Sequence, residues 1–254
     1  MTTPTLVGVS LKMYFGHAQT LAWMAKVNEL ALAHPAVADG SVRLFVIPGF
    51  VSIVPSGEEL AGSRVELGAQ DLAAADTGAF TGEVSGVELA EVGVSVVEVG
   101  HAERRSLFGE TDEVVAAKAA AALRNGISPV LCVGEKIQTS AADAAAECIR
   151  QLDSALADAV DGPVIVAYEP VWAIGAERPA EAAHVRAVCR ELRSAIAGRP
   201  GSTVIYGGSA GPGLLTELGT DVDGLFLGRF AHDTAALSLV LDEALLLAES
   251  KSNA

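Results

Sequence analysis

Eight short runs rich in β-branched and other apolar residues recur along the 254-residue chain, at 5–10, 42–47, 65–70, 94–99, 127–133, 164–168, 203–206 and 224–227. Most are apolar almost without interruption, where a strand with one wet face would alternate. A run of that kind needs cover on both faces, which is the situation of a parallel strand wrapped by helices. Between the runs lie alanine-rich segments with helical periodicity. Trp23, Val27, Leu30 and Ala31 stand at i, i+4, i+7 and i+8; Ile149, Leu152 and Leu156 repeat the stripe, as do Val185, Val188, Leu192 and Ile196. Gly126 and Gly198 stand where two of these helices should stop.

Eight strands alternating with helices in a chain of this length is the rhythm of an α/β fold closed into a (β/α)₈ barrel with a parallel eight-stranded sheet. A doubly wound open sheet is the competitor, but it carries a GxGxxG after its first strand, and here that strand runs into Ser10-Leu11-Lys12-Met13. No Pro/Gly/Ser-rich linker divides the sequence, so one domain over 1–254 is expected.

Composition narrows the function classes. Half the residues are apolar (50%) and 19% are charged, enough to bury a core and too apolar for a disordered chain. Lys+Arg 17 against Asp+Glu 32 leaves −15, which argues against nucleic acid or an acidic membrane as partner. A small anionic substrate would have to be met by a few aimed donors. Cys132, Cys148 and Cys189 are too few and too scattered for a disulfide framework, and are read as reduced packing residues. Residues 1–15 show no secretory leader pattern and no run reaches 18 apolar residues, so a cytoplasmic protein is expected.

In such a barrel, chemistry gathers at the C-terminal ends of the strands. Those ends carry Lys12, then His101 and Glu103, then Glu135, then Glu169, and finally Gly207-Gly208-Ser209 and Gly228-Arg229. One cation, one imidazole and one carboxylate opposite two glycine turns make a constellation for proton transfer on a phosphorylated substrate. Taken alone, His101 reads as a structural histidine and Glu169 as a helix cap; their neighbours change that. Glu135 reads as a structural strand-end carboxylate, Arg104 and Arg105 as ion-pair partners, and His17, His34, His184 and His232 as surface or core residues.

Tyr168-Glu169-Pro170-Val171-Trp172-Ala173-Ile174-Gly175 resembles the most diagnostic string of the triosephosphate isomerases. Lys12-Met13, Gly68-Ala69-Gln70, the segment 78–83, Gly100-His101-x-Glu103-Arg104-Arg105, the segment 131–135 and Tyr206-Gly207-Gly208-Ser209 follow that family in order. The resemblance implies that Glu169 removes a proton next to a carbonyl, that a neutral His101 polarises the carbonyl, and that Lys12, paired with Glu103, faces the enediolate; the Glu–neutral His pairing is the family's own, taken over with it. It implies a phosphate grip at Ile174, Gly175, Ser209 and Gly228, made mainly of backbone N–H groups. It further implies a lid over 172–179 that begins at Trp172 and latches on Tyr206 and Ser209, no cofactor and no metal, and a homodimer in which Thr77 reaches the partner's site.

The departures from the family's pattern cluster around the substrate. Ser10 stands for the usual asparagine, Ala102 for a serine, Ala176-Glu177-Arg178-Pro179-Ala180 for the lid's usual second half, and Gly228-Arg229 for a double glycine. Asn to Ser opens space near the reacting carbons, and Arg229 adds a guanidinium that can reach a phosphate. Ser10 and Gly228-Arg229 resemble the erythrulose-phosphate isomerase branch of the family, which interconverts L-erythrulose 1-phosphate and D-erythrulose 4-phosphate, a substrate one hydroxymethyl larger. The alternative is the triose reaction itself, dihydroxyacetone phosphate to D-glyceraldehyde 3-phosphate. A non-catalytic sugar-phosphate binder would not need both Glu169 and His101, and a metal-dependent aldolase would need more than one strand-end histidine.

Overall fold

The computed structural model describes residues 4–175 and 180–252. Eight parallel strands close into a barrel in chain order: β1 (Thr5–Ser10), β2 (Val42–Ile47), β3 (Glu66–Ala69), β4 (Val96–Val99), β5 (Ser128–Val133), β6 (Ile165–Tyr168), β7 (Thr203–Tyr206) and β8 (Gly224–Leu227). β1 closes the ring by pairing with β8, Leu6 opposite Gly224 and Val9 opposite Leu227. The (β/α)₈ expectation holds. Strand ends differ from the sequence reading by one or two residues, because Val65, Gln70, Val94 and Ser95 lie beyond the paired part of the strands.

The uninterrupted apolar runs are explained by two cores. Leu6, Phe45, Val96, Val130, Ile165, Ile205 and Phe226 point inward and fill the barrel. Their chain neighbours, among them Val7, Leu44, Val97, Leu131, Val166, Val204 and Leu225, point outward under the helices. Alternation is present in space but invisible in composition, since both faces are dry. The interior is packed solid: Phe45 lies in the space a side chain on Gly8 would need.

The helical stripes serve the outer core. On the helix Ala182–Ile196, Val185, Val188, Cys189, Leu192 and Ile196 are buried, each large apolar side chain contributing about 1.5–3 kcal/mol by leaving water. A charge at Leu192 would break that face. The three cysteines are buried and free. Among the described residues no helix is long and apolar enough to cross a membrane.

Candidate active site

Lys12 stands two residues past the end of β1 in the left-handed region, φ 48°, the one non-glycine residue with positive φ among the described residues. Such a conformation costs of order 1–3 kcal/mol and persists only where neighbours impose it. Here the Gln70 side chain donates to the Lys12 carbonyl at 2.8 Å, and the Lys12 ammonium donates to Glu103 Oε1 at 2.7 Å. Burial pulls the ammonium's pKa down, but the Glu103 bond and the nearby Glu169 and Glu98 outweigh it, so the pKa is raised and Lys12 is charged.

His101 caps the helix Ala102–Leu107. The Glu103 backbone N–H donates to His101 Nδ1 at 3.1 Å. A ring nitrogen that accepts there carries no proton, so the neutral ring holds its hydrogen on Nε2. Nε2 is 3.5 Å from Glu169 Oε2 and 3.8 Å from Glu98 Oε1. Arg104 and Arg105, on the same helix, pair with Asp71, Glu110 and Asp112 and do not line the cavity that holds Lys12, His101 and Glu169.

Glu169 follows β6, its N–H bonded to the Val133 carbonyl at 2.8 Å. Two glycines make room for it: a Cβ on Gly207 would strike the Glu169 carboxyl, and one on Gly134 its carbonyl. The side chain is buried, Oε2 accepts no hydrogen bond, and burial pushes its pKa up to about 7, with Lys12 pulling the other way. A carboxyl balanced near neutrality with a free lone pair is suited to taking and returning a proton.

Glu135, read from sequence as structural, is a hub beneath the segment that follows Glu169. It accepts from Tyr168 Oη at 3.2 Å and from Trp172 Nε1 at 2.7 Å, and His184 Nε2 bonds the same Tyr168 hydroxyl at 3.0 Å. The departures at Ala176 to Pro179 lie outside the described residues, and with them half of the expected lid. Both flanks are placed. Ser209 Oγ donates to the Ala173 carbonyl at 3.4 Å, and the Ala180 N–H reaches Tyr206 Oη at 3.4 Å.

Ser10, Lys12, His101, Glu169, Gly208 and Gly228 line one small cavity at the C-terminal end of the barrel, with Ile174 and Phe226 as its apolar walls. Gly175 (φ 72°) and Ser209 adjoin the liners Ile174 and Gly208. Arg229 is exposed, its guanidinium 5.9 Å from the Tyr14 ring centre and away from the cavity lining. Thr77 is exposed on the loop after β3. His232 packs on Phe15, ring centres 4.4 Å apart. A larger cavity that also touches Glu169 is lined by Arg105, Asp112, Glu147 and Arg150, which bond one another.

Two polar residues of the site have no role in the sequence reading, although Gln70 lies in one of the motifs. Gln70 holds the strained Lys12 backbone. Glu98, on β4, is buried with its carboxyl accepting from Ser10 Oγ at 2.9 Å. The signal for Glu98 was a lone carboxylate inside the apolar run Val96-Val97-Glu98-Val99.

The triosephosphate isomerase family model matches residues 5–244. A protein of Pectobacterium atrosepticum named L-erythrulose-1-phosphate isomerase is 53% identical over 248 residues, 95% of this chain and 96% of its own. One of the same name from Rhizobium etli is 42% identical, covering 89% of this chain and 86% of its own. A triosephosphate isomerase of Mycobacteroides abscessus is 39% identical, covering 92% and 94%. With the closed barrel and the Lys12–His101–Glu169 cavity, these matches establish that the chain belongs to the triosephosphate isomerase family.

Proposed function

We propose that this isomerase interconverts L-erythrulose 1-phosphate and D-erythrulose 4-phosphate. The reading is carried by the 53% identity, over nearly the whole chain, to a relative of that name, against 39% to a triosephosphate isomerase. The small Ser10 side chain in the cavity lining supports it, since the four-carbon ketose adds a hydroxymethyl group beside the reacting carbons.

In the reaction, Glu169 takes the proton from the hydroxyl-bearing carbon next to the carbonyl. The electron pair of that C–H bond becomes the carbon–carbon double bond of an enediolate, and the carbonyl oxygen takes up negative charge. His101 Nε2–H hydrogen-bonds that oxygen and moves the proton between the two enediol oxygens; the Lys12 charge, steadied by Glu103, stabilises the intermediate. Glu169 then returns its proton to the former carbonyl carbon, and the carbonyl has moved by one position with atoms and charge conserved. Backbone N–H groups at Gly175, Ser209, Gly228 and Arg229 hold the phosphate, and the loop from Trp172 closes over it, latched by Tyr206 and Ser209.

The same reading carries a single domain over 1–254 and a homodimer acting in the cytoplasm, with Thr77 completing the partner's site. Met13, Tyr14, Val51 and Phe80 stand exposed on the loops that would meet a second copy (95%, 54%, 84% and 55%), a concentration of apolar side chains that suits burial in an interface. Light scattering should report two chains per particle; a fully active monomer would remove the dimer from the reading.

Coupled assays on the wild-type protein test the substrate. L-Erythrulose 1-phosphate should exceed dihydroxyacetone phosphate in kcat/KM by roughly ten- to a hundred-fold, the effect of leaving about one polar pocket group unpaired. Efficient turnover of dihydroxyacetone phosphate with none of the tetrulose phosphates would transfer the function to the triose reaction, which the intact Lys12, His101 and Glu169 can equally perform.

A further inference from the structure

Glu98 has no part in the reaction just described, yet it is buried beside it. On β4, Val96 faces the barrel interior while Val97 and Val99 face the helices. Glu98 alternates with its neighbours and therefore faces inward, one strand position above Val96. Among the described residues no lysine or arginine comes within ion-pair distance of it; the hydroxyl of Ser10 is its hydrogen-bond partner, and His101 Nε2 stands farther off at 3.8 Å. Burial raises its pKa, with the nearby Glu169 adding to the rise. An inward carboxyl with no lysine or arginine at ion-pair distance is expensive in a barrel whose inner core is apolar. Packing does not ask for it.

What Glu98 does control is the direction of one hydroxyl. Of the polar side chains lining the cavity, Lys12, His101 and Glu169 are committed to the reacting atoms, which leaves Ser10. A hydroxyl has one proton to give and two lone pairs to receive with. Ser10 gives its proton to Glu98 Oε2. Its lone pairs are then what it presents elsewhere, and a group that binds there has to be a donor.

We infer that Glu98 is a positioning residue for substrate specificity: by holding the Ser10 proton it makes Ser10 Oγ the acceptor for the terminal hydroxyl of a phosphorylated ketose longer than a triose. The inference rests on the tetrulose reading above and deepens it, since it says how the extra group is recognised as well as where there is room. A site that hydrogen-bonds a hydroxyl rejects an analogue of the same size lacking it, whereas a mere hole accepts both.

The test compares L-erythrulose 1-phosphate with its 4-deoxy analogue, in which the terminal CH₂OH is CH₃, across the wild type, Glu98→Leu, Glu98→Gln and Ser10→Ala. The readout is the ratio of kcat/KM values for the two ketoses within each protein. The wild type should prefer the hydroxyl by roughly ten- to a hundred-fold. Ser10→Ala and Glu98→Leu should bring the ratio to within about threefold of unity, less than one hydrogen bond's worth. Glu98→Gln should keep most of the preference, because its carboxamide oxygen still accepts from Ser10. If Glu98→Leu fails to fold, the contrast between Glu98→Gln and Ser10→Ala decides the matter alone. A wild type without preference, or a Glu98→Leu or Ser10→Ala variant that keeps the wild-type ratio while losing rate on both ketoses alike, overturns the inference and leaves the tetrulose reading standing. A wild type that turns over neither ketose but does turn over dihydroxyacetone phosphate overturns the reading itself, and the inference with it.

Discussion

Lys118 and Lys12 both sit among carboxylates at the top of the barrel, and their surroundings are built to opposite rules. Lys118 donates to both oxygens of Asp71 at 2.7 Å and to Glu110 at 2.6 Å, while Arg104 bonds the same two acids at 2.8 and 2.6 Å. Two cations meet two carboxylates, and Glu110 Oε2 alone among these groups lacks a hydrogen bond. Around Lys12 stand three acids, Glu103, Glu169 and Glu98, with an imidazole that receives at Nδ1; Glu169 Oε2 has no hydrogen bond. The first cluster ties the loop after β3 to the helix Ala102–Leu107 and to the helix Asp112–Arg124. It spends its charges on fixing geometry. The second leaves charges incompletely matched inside that fixed frame, which is where pKa values move and protons can be exchanged.

The comparison breaks first at Glu169. Glu169→Gln should lower kcat by about 10²–10⁴-fold, the usual scale for losing a positioned base, with the fold intact. Stability should move the other way. Because folding raises this pKa from 4.5 to about 7, the acid destabilises the native state as pH rises through that interval, by up to about 3 kcal/mol above it. Thermal unfolding at pH 8 should find the variant at least as stable as the wild type. A Tm several degrees lower would mean that Glu169 is structural after all.

Lys118→Met is the mirror experiment. Removing the Lys118 cation leaves Arg104 as the one cation bonded to Asp71 and Glu110 in a dry site, a change of up to about 3–5 kcal/mol in stability, read as a shift of the denaturant midpoint. The protein that remains folded should keep its kcat, since Lys118 reaches no substrate group. If kcat collapses while the midpoint stays, the division between frame and reactive centre is wrong.

A pH profile sharpens the same division. As the proposed base, Glu169 can act only when ionised, so kcat/KM should fall below about pH 7 and not at the 4.5 of an ordinary glutamate. The groups facing it are Lys12, Glu103, Cys132, His101 and Glu98, and of these Lys12 opposes the rise most. Substrate phosphate titrates near 6. Difference infrared spectroscopy on the free protein separates the two, by following the carboxyl band that Glu169→Gln abolishes; a midpoint near 4.5 would refute the role of burial.

How much of this was legible beforehand follows the same line between frame and centre. Uninterrupted apolar runs betray parallel strands because both faces are dry, so the eight strands and their order were readable, and only the last residue or two at each end depended on pairing. Lys12, His101 and Glu169 were readable because they sit in ordered motifs at strand ends. Glu98 was not: a single carboxylate in a strand has no direction until the barrel assigns it the inner face and Ser10 as partner. Nor was the tautomer of a neutral His101, which is set by a backbone N–H two residues on, or the function of Gln70, whose bond is to the Lys12 main chain. Chemistry carried by one side chain shows in sequence, whereas chemistry shared between two strands waits for the fold.

Arg229 supplies the smallest effect and the finest test of that statement. From sequence its guanidinium was a candidate for holding phosphate. The structure turns the guanidinium toward the Tyr14 ring at 5.9 Å, on the exposed side of the turn, while Gly228 lines the cavity. If the backbone N–H groups of this turn hold the phosphate, the side chain is dispensable. Arg229→Leu should then change KM by less than about threefold, well under the 1.4 kcal/mol of a tenfold effect, and lower stability by no more than about 0.5–1 kcal/mol from the lost cation–π contact. Isothermal titration with a phosphate-bearing competitive inhibitor reads the first quantity directly. A loss of tenfold or more, stronger at low salt than at high, would mean that the guanidinium swings inward on binding, and that this corner of the site belongs with the reactive centre rather than with its frame.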